Sequence, residues 1–396
     1  MSTVKPSRSF DQTSFTSLLV AILLCCAQPQ ANAGTADAAP PAKMELQTLA
    51  SKISKQPGNL QLLDRRALLL IKLGRNNEAI ADCNAMLKID PKNLSALNLL
   101  AWAHNNLGKY DDAIKITDKC ISIAPNASPA YFNRGISYFN KSQYETAIKT
   151  YDKCLMLKPN YANAYYERSR CFSNLKNYQS AIDDASKAIK LDPRMAHAYD
   201  ERGYAEVCQA QYGAAISDFE KAIELDPKHA WSYKNLGWAY ESQDQFKKAI
   251  EYYTQAIKLD PKFELAYARR GYCKNNTEDY KGAIEDTTQA ILIDPNDAWP
   301  YDCRGFARRK LGDNKGAEAD FTRSLKENPE SVWTLGNRSF VRFAQGNLKG
   351  GFEDYADANK FQKAESKKVL KDSAKELGKQ ANAAKDFIDS ILKGKR

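Results

Sequence analysis

Between residues 44 and 361 the chain keeps returning to one pattern of apolar and polar positions. Residues 128–161 show it most clearly, reading SPAYFNRGISYFNKSQYETAIKTYDKCLMLKPNY. Tyr131, Gly135 and Tyr138 recur at spacings of four and three, which marks one face of a helix. A polar break follows. Ala147 with Ile148, Tyr151, Cys154 with Leu155, and Leu157 then form a second apolar stripe. Pro159 ends it, because proline cannot continue a helix and biases the residue before it away from helical geometry. The pattern predicts two antiparallel helices joined by a short turn.

The same punctuation recurs throughout. Pro57, Pro91, Pro125, Pro159, Pro193, Pro227, Pro261, Pro295 and Pro329 are each 34 residues apart, with no insertion or deletion. A fixed period of this size is the mark of a solenoid, in which each unit buries its apolar face against its neighbours. Eight full units follow, 60–93, 94–127, 128–161, 162–195, 196–229, 230–263, 264–297 and 298–331, and a divergent ninth at 332–361 lacks the terminal proline.

Unit positions count from the first residue of each unit. Position 4 is Tyr131, Tyr165, Tyr199, Tyr233, Tyr267 and Tyr301 in six successive units. Position 8 is small throughout: Gly135, Gly203, Gly237, Gly271 and Gly305, with Ala67, Ala101, Ser169 and Ser339 in the others. Position 20 is alanine from Ala79 to Ala317 and then Gly351. With proline at 32, this arrangement resembles the tetratricopeptide repeat family over residues 44–361. Ankyrin repeats have a 33-residue period and another signature. The resemblance implies an all-α, right-handed superhelical solenoid of helix-turn-helix units.

Comparing units with one another exposes a paired substitution. Position 7 is arginine and position 23 aspartate in six units, giving Arg66/Asp82, Arg168/Asp184, Arg202/Asp218, Arg270/Asp286, Arg304/Asp320 and Arg338/Asp354. Where position 7 is Leu100 or Leu236, position 23 is Ile116 or Tyr252. The third unit departs, with Arg134 and Thr150. Charge accompanies charge and apolar accompanies apolar, so an ion pair joining the two helices of a unit is expected, with a structural role.

The ends differ from the middle. Lys5 and Arg8 precede the apolar run Leu18–Cys26, and Ala31-Asn32-Ala33 gives an A-x-A cleavage pattern. Residues 1–33 therefore read as a secretory signal peptide, and the run is too short to span a bilayer. Export to a periplasmic or extracellular space is expected, with an uncleaved membrane anchor as the alternative. Residues 34–43, rich in Ala and Pro, read as a linker. Residues 44–59 read as a half repeat, with Leu46, Leu49 and Ile53 at second-helix positions. From 362 to 396, Leu370, Ala374, Leu377, Ala381, Ala384, Ile388 and Ile391 form one apolar stripe on a basic amphipathic helix. It is expected to cap the last unit; a dimerising helix, and hence a homodimer, is the alternative.

Composition narrows the function classes. The net charge is +10, and the segment 362–396 alone carries ten basic and five acidic side chains. Weak contact with an anionic membrane surface through this tail is one consequence; a solvated face is the simpler one. Related 35-residue helical repeats read RNA, but their signature is absent, so no nucleic-acid partner is expected. Seven cysteines follow the leader: Cys83, Cys120, Cys154, Cys171, Cys208, Cys273 and Cys303. They show no CxxC spacing and read as small buried hydrophobes. The three histidines, His104, His197 and His229, match no metal-ligand spacing. No phosphate loop or nucleophile motif occurs, so no catalytic residue, metal site or cofactor is expected. The protein reads as a non-enzymatic interaction scaffold.

In the family that this chain resembles, first-helix positions 2, 5, 9 and 12 line a concave, peptide-binding groove. Here those positions hold Trp102, Phe132, Tyr166, Tyr204, Trp231, Trp238, Tyr272, Trp299, Phe306 and Trp333, with Arg170, Lys234 and Arg309 among them. Phe139, Phe340 and Phe343 add aromatic surface, and Asn98, Asn105 and Asn275 add polar groups. Tyrosine at position 4 already fills the packing role. The expectation is therefore a groove that takes an extended segment of a protein partner on aromatic anchors, with packing between repeats as the competing use of these rings. The chaperone-tail clamp of the family is not reproduced, because Trp102 follows Asn98 and Trp238 follows Lys234 at the matching spacing.

Overall fold

The computed structural model describes residues 40–364. The leader at 1–33 and the tail beyond 364 lie outside the described residues, as does most of the linker. The described part is helical, and no strand occurs in it. The chain divides between Pro227 and Lys228 into two compact units, although the sequence period runs through that point unbroken.

The first unit opens with the helix Pro40–Lys55. It starts inside the segment expected to be linker, because proline is well placed in a first helical turn, where its missing N–H costs nothing. Leu46, Leu49 and Ile53 are buried, and Leu46 packs with Ala67, Leu70 and Ile71 of the next helix. Five hairpins follow: Leu60–Lys72 with Asn76–Ile89, Leu94–Asn106 with Tyr110–Ile123, Ser128–Asn140 with Tyr144–Leu157, Ala162–Asn174 with Tyr178–Leu191, and Ala196–Cys208 with Tyr212–Leu225. The second unit holds Ala230–Glu241 with Phe246–Leu259, Glu264–Asn276 with Tyr280–Ile293, and Ala298–Lys310 with Asn314–Glu327. Its last hairpin is Val332–Ala344 followed by a helix over 348–364. Each second helix of the eight full repeats stops two residues short of its proline.

Every hairpin turns through the same backbone state. Position 15 has positive φ in all nine repeats: Gly74, Gly108, Gly312 and Gly346, but also Ser142, Lys176, Ala210, Asp244 and Glu278. The middle repeats thus hold a side chain where only glycine is unstrained.

The two helices of a repeat are set together by position 8 facing position 24. A Cβ added at Gly203, Gly237 or Gly305 would lie 2.8 Å from the ring of Phe219, Tyr253 or Phe321. All three rings are fully buried. Gly135 meets Tyr151 in the same way. Where position 24 is Cys83, Thr117 or Ala185, position 8 takes Ala67, Ala101 or Ser169. In these three repeats space left by one residue is filled by the other, whereas in the seventh Gly271 faces Thr287. Six of the seven cysteines are buried, and Cys83, Cys120, Cys154 and Cys171 sit in core clusters. Burial pushes the Cys83 thiol up to about 12.

The arginine at position 7 does more than pair within its repeat. Arg202 donates from Nε and Nη2 to both carboxylate oxygens of Asp218, at 2.6 and 2.7 Å. The other five expected pairs share this forked geometry. The remaining Nη1 reaches back to position 25 of the preceding repeat: Asp152 from Arg168, Ser186 from Arg202, Thr254 from Arg270, Thr288 from Arg304 and Thr322 from Arg338. Arg134, whose own repeat offers Thr150, donates to Asp118 of the preceding repeat at 2.8 Å. One guanidinium therefore fastens two helices of one repeat and one helix of its predecessor, using the planar fork that lysine lacks.

Two stability predictions follow from the fifth repeat. Gly203→Ala should destabilise by about 1–3 kcal/mol through overpacking, whereas Ala210→Gly should stabilise by up to about 1 kcal/mol by relieving the left-handed turn. Opposite shifts in urea midpoint check this. Asp218→Ala should cost about 3–5 kcal/mol by stranding Arg202. Arg202→Leu with Asp218→Ile, the pairing already used at Leu100 and Ile116, should cost less than that single change. A double-mutant cycle measures the difference.

Candidate interaction face

First helices of successive repeats lie side by side within each unit. Their positions 2, 5, 6, 9 and 12 form a common face, and a second register of polar contacts runs along it. Asn105 at position 12 donates to the carbonyl of Asn133 at position 6 of the next repeat, 2.9 Å away. Ser173 donates to Glu201, Arg269 to Glu241 at 2.9 Å, and Asn275 to the Cys303 carbonyl at 2.8 Å. Each pair is separated by 28 residues. Asn105 and Asn275 are buried by this role and are not free to orient a ligand. Asn98 gives its backbone carbonyl to Asn133.

In the first unit the aromatic residues are largely committed to packing. Trp102 is half-buried against the cluster of Leu70, Leu99 and Ala103. Phe132 lies 4.9 Å from Tyr161 and 6.1 Å from Tyr151, ring centre to centre. Arg170 stacks 4.3 Å over Phe139, lies 5.7 Å from the Tyr166 ring, and pairs with Glu167 at 2.8 Å. Tyr166 stacks near His197, and Tyr204 is half-buried.

In the second unit the rings form a ladder with cations between the rungs. Trp231 lies 4.8 Å from Phe263, with Lys234 Nζ 4.6 Å over its ring. Lys234 and Trp238 are themselves buried, so neither is available as an exposed anchor. Arg269 sits 5.7 Å from Trp238 and 5.6 Å from Trp299, and it is buried with Glu241. Position 9 of one repeat meets position 2 of the next: Tyr272 with Trp299 at 5.9 Å, and Phe306 with Trp333 at 6.1 Å. Toward the end of the unit the ladder opens. Trp333 is 45% exposed and Phe340 is 57% exposed, with Arg309 stacked 5.2 Å from Phe306 and 4.9 Å from Phe340. The predicted residues thus divide into a packed set and an accessible set at the eighth and ninth repeats.

Arg269 and Glu241 escaped the sequence reading. Their signal is the 28-residue spacing from position 12 to the next position 6, visible only when neighbouring repeats are compared.

Several acids near these helices bind protons tightly. Burial pushes Glu201, Glu206 and Asp302 up to about 7; Asp218 adds to the effect at Glu206 and Arg202 opposes it, while Ser173 opposes it at Glu201. No descibed helix is long and apolar enough to cross a membrane.

Tetratricopeptide repeat models match residues 70–133, 128–161, 162–195, 196–229, 230–263 and 265–297. The chain belongs to the tetratricopeptide repeat family, and its fold is an all-α helical-repeat solenoid. A search of curated proteins by sequence finds no match. Among solved structures, one chain of the APC/C hetero-tetramer Cut9–Hcn1 is similar, with a TM-score of 0.59 and 18% identity over 75% of this chain and 58% of that one. The match spans less than two thirds of that relative's length. PilF of Pseudomonas aeruginosa is similar at 19% identity, with a TM-score of 0.48 over 53% of this chain and 96% of that one. YrrB, a TPR protein with an unusual peptide-binding site, is similar at 22% identity, with a TM-score of 0.39 over 46% and 95%. At these identities the likeness speaks to fold alone. Proteins of this repeat fold typically act as non-catalytic scaffolds for protein–protein interaction.

The raised carboxyls give a pH signature. An acid whose folded value exceeds its unfolded one stabilises the fold at low pH and loses that contribution as pH rises through the folded value. Glu206→Gln, which keeps the neutral shape, should be close to neutral at pH 4.5 and stabilise by about 1–3 kcal/mol at pH 8. Urea titrations at the two pH values test it.

Proposed function

We propose that this protein is an interaction scaffold that captures an extended segment of a partner protein on its first-helix face, outside the cytoplasm. One observation carries the reading: large aromatic side chains stay accessible on that face where the core positions are already filled. Trp333 and Phe340, two helical turns apart on one side of Val332–Ala344, are the clearest case. Rigid aromatic side chains beside arginine are the usual anchors of protein interfaces. The fold itself does not specify a partner, so the reading rests on this face.

A second reading, self-association at the C-terminal end, is favoured by Leu348, Phe352 and Tyr355, which are 60%, 63% and 56% exposed on the last helix. Phe321, at the position of Tyr355 one repeat earlier, is fully buried. The expected amphipathic tail, as a cap or as a dimerising helix, lies outside the described residues.

The test is crosslinking capture from the native host with wild type, Trp333→Ala/Phe340→Ala, and a chain stopped at 362. These two rings are better targets than the buried Trp238, whose loss would damage the fold. A partner retained by wild type and lost by the double variant supports the groove reading. Unchanged capture by the double variant, with loss of self-association on truncation, supports assembly instead. The N-terminal residue of the isolated protein should be Gly34 if the leader is cleaved.

A further inference from the structure

Arg309 stands out among the charged side chains of the first-helix face. Its guanidinium lies between the rings of Phe306 and Phe340, much as Arg269 lies between Trp238 and Trp299. Arg269 is neutralised by Glu241 at 2.9 Å. Arg309 has no carboxylate partner among the described residues, and its buried Nε has no acceptor there. Burial weakens its hold on its proton, and the Tyr280 side chain is the one influence opposing that effect. The register offers it nothing either. At position 12, Asn105, Ser173, Glu241 and Asn275 each engage position 6 of the next repeat. Arg309 occupies position 12 of the eighth repeat, and Asn337 opposite it turns to the Trp333 carbonyl at 2.8 Å. The adjacent Lys310 is exposed, approaches Phe306 at 5.5 Å and forms no ion pair among the described residues.

A half-buried cation held by aromatic rings, with one hydrogen-bond donor unmet, costs free energy until an anion arrives. Among the described residues that anion is present at Arg269 and absent at Arg309.

We propose that the first-helix face of the eighth and ninth repeats binds an acidic segment of a protein partner, its carboxylate forking onto Arg309 and an adjacent apolar side chain packing on Phe340 and Trp333. The proposal rests on the scaffold reading above and adds the chemistry of the partner. The charge complementarity is local: Arg309 and Lys310 present two cations with no carboxylate partner among the described residues, beside exposed rings. Trp333 and Phe340 are about 10 Å apart along their helix, so an extended strand would cover both with about three residues. Carboxylate and apolar group therefore belong close together in the partner sequence.

The experiment uses the full-length protein and two fluorescein-labelled octapeptides, Gly-Ser-Asp-Leu-Asp-Phe-Gly-Ser and its counterpart with both Asp replaced by Asn. Binding is read by fluorescence anisotropy at low and high salt. The acidic peptide should bind at least tenfold more tightly than the amide peptide, and less tightly as salt rises. Arg309→Gln and Phe340→Ala should each weaken it at least tenfold. Arg323→Gln, on the second helix of the repeat, should leave it unchanged. Equal binding of the two peptides, absence of binding by the acidic one, or indifference to Arg309→Gln overturns the proposal. If host-partner capture still requires Trp333 and Phe340 while Arg309→Gln leaves that capture intact, the scaffold reading survives and acid recognition falls.

Discussion

In the third, fifth, sixth and eighth repeats the close approach of the two helices depends on a single exchange of volume. Position 8 gives up its side chain so that position 24 can place a ring against bare backbone. Gly203 with Phe219 and Gly305 with Phe321 leave no room for a methyl group. In the fifth and eighth repeats the contact stands beside the arginine at position 7, which reaches its aspartate with both arms of its fork. The third arm reaches the preceding repeat. Packing within the hairpin and the link to the neighbouring repeat are therefore geometrically coupled. A protein interior does not compress smoothly, so the 34-residue period is retained without insertions.

That coupling leaves the first-helix face to be built from other positions. Its rings have two employments. Tyr272 and Phe306 at position 9 pack on Trp299 and Trp333 at position 2 of the next repeat, while Phe132 and Trp231 pack on Tyr161 and Phe263 at the end of their own repeats. The residue types are those of a binding surface, but in Phe132, Lys234 and Trp238 the same chemistry is used in internal packing. Only toward the ninth repeat, where Trp333 and Phe340 remain accessible, does the ladder offer aromatic surface to another molecule. Arg269 and Arg309 show the two employments side by side, one paired with a carboxylate among the described residues and the other not.

Much of the fold was legible because the chain carries nine versions of one sentence. Proline spacing, small residues at position 8 and the covariation of Arg202 with Asp218 or Leu100 with Ile116 are relations within a unit. Relations between units were harder to read. The third arginine arm was hidden because position 25 changes identity, from Asp152 to Ser186 to Thr254, while keeping an oxygen acceptor. The left-handed turn was hidden because Lys176 and Ala210 occupy it as well as Gly74. The burial of Asn105 and Asn275 was missed because each is satisfied by a carbonyl of the next repeat, to which no side-chain identity points. The start of the first helix was placed late because Pro40 and Pro41 read as linker, although proline also suits a helical first turn.

Native-state hydrogen exchange, followed amide by amide, tests this account most directly, because it measures the opening free energy of each hairpin separately. The account predicts strong protection in the helices of the fifth repeat, where Gly203 meets a buried Phe219 and Arg202 uses all three arms. It predicts weaker protection in the ninth, where Ser339 stands at position 8 and Tyr355 at position 24 is exposed. Equal protection in the two repeats, or greater protection in the ninth, would contradict the claim that the position 8 to position 24 contact holds each hairpin closed.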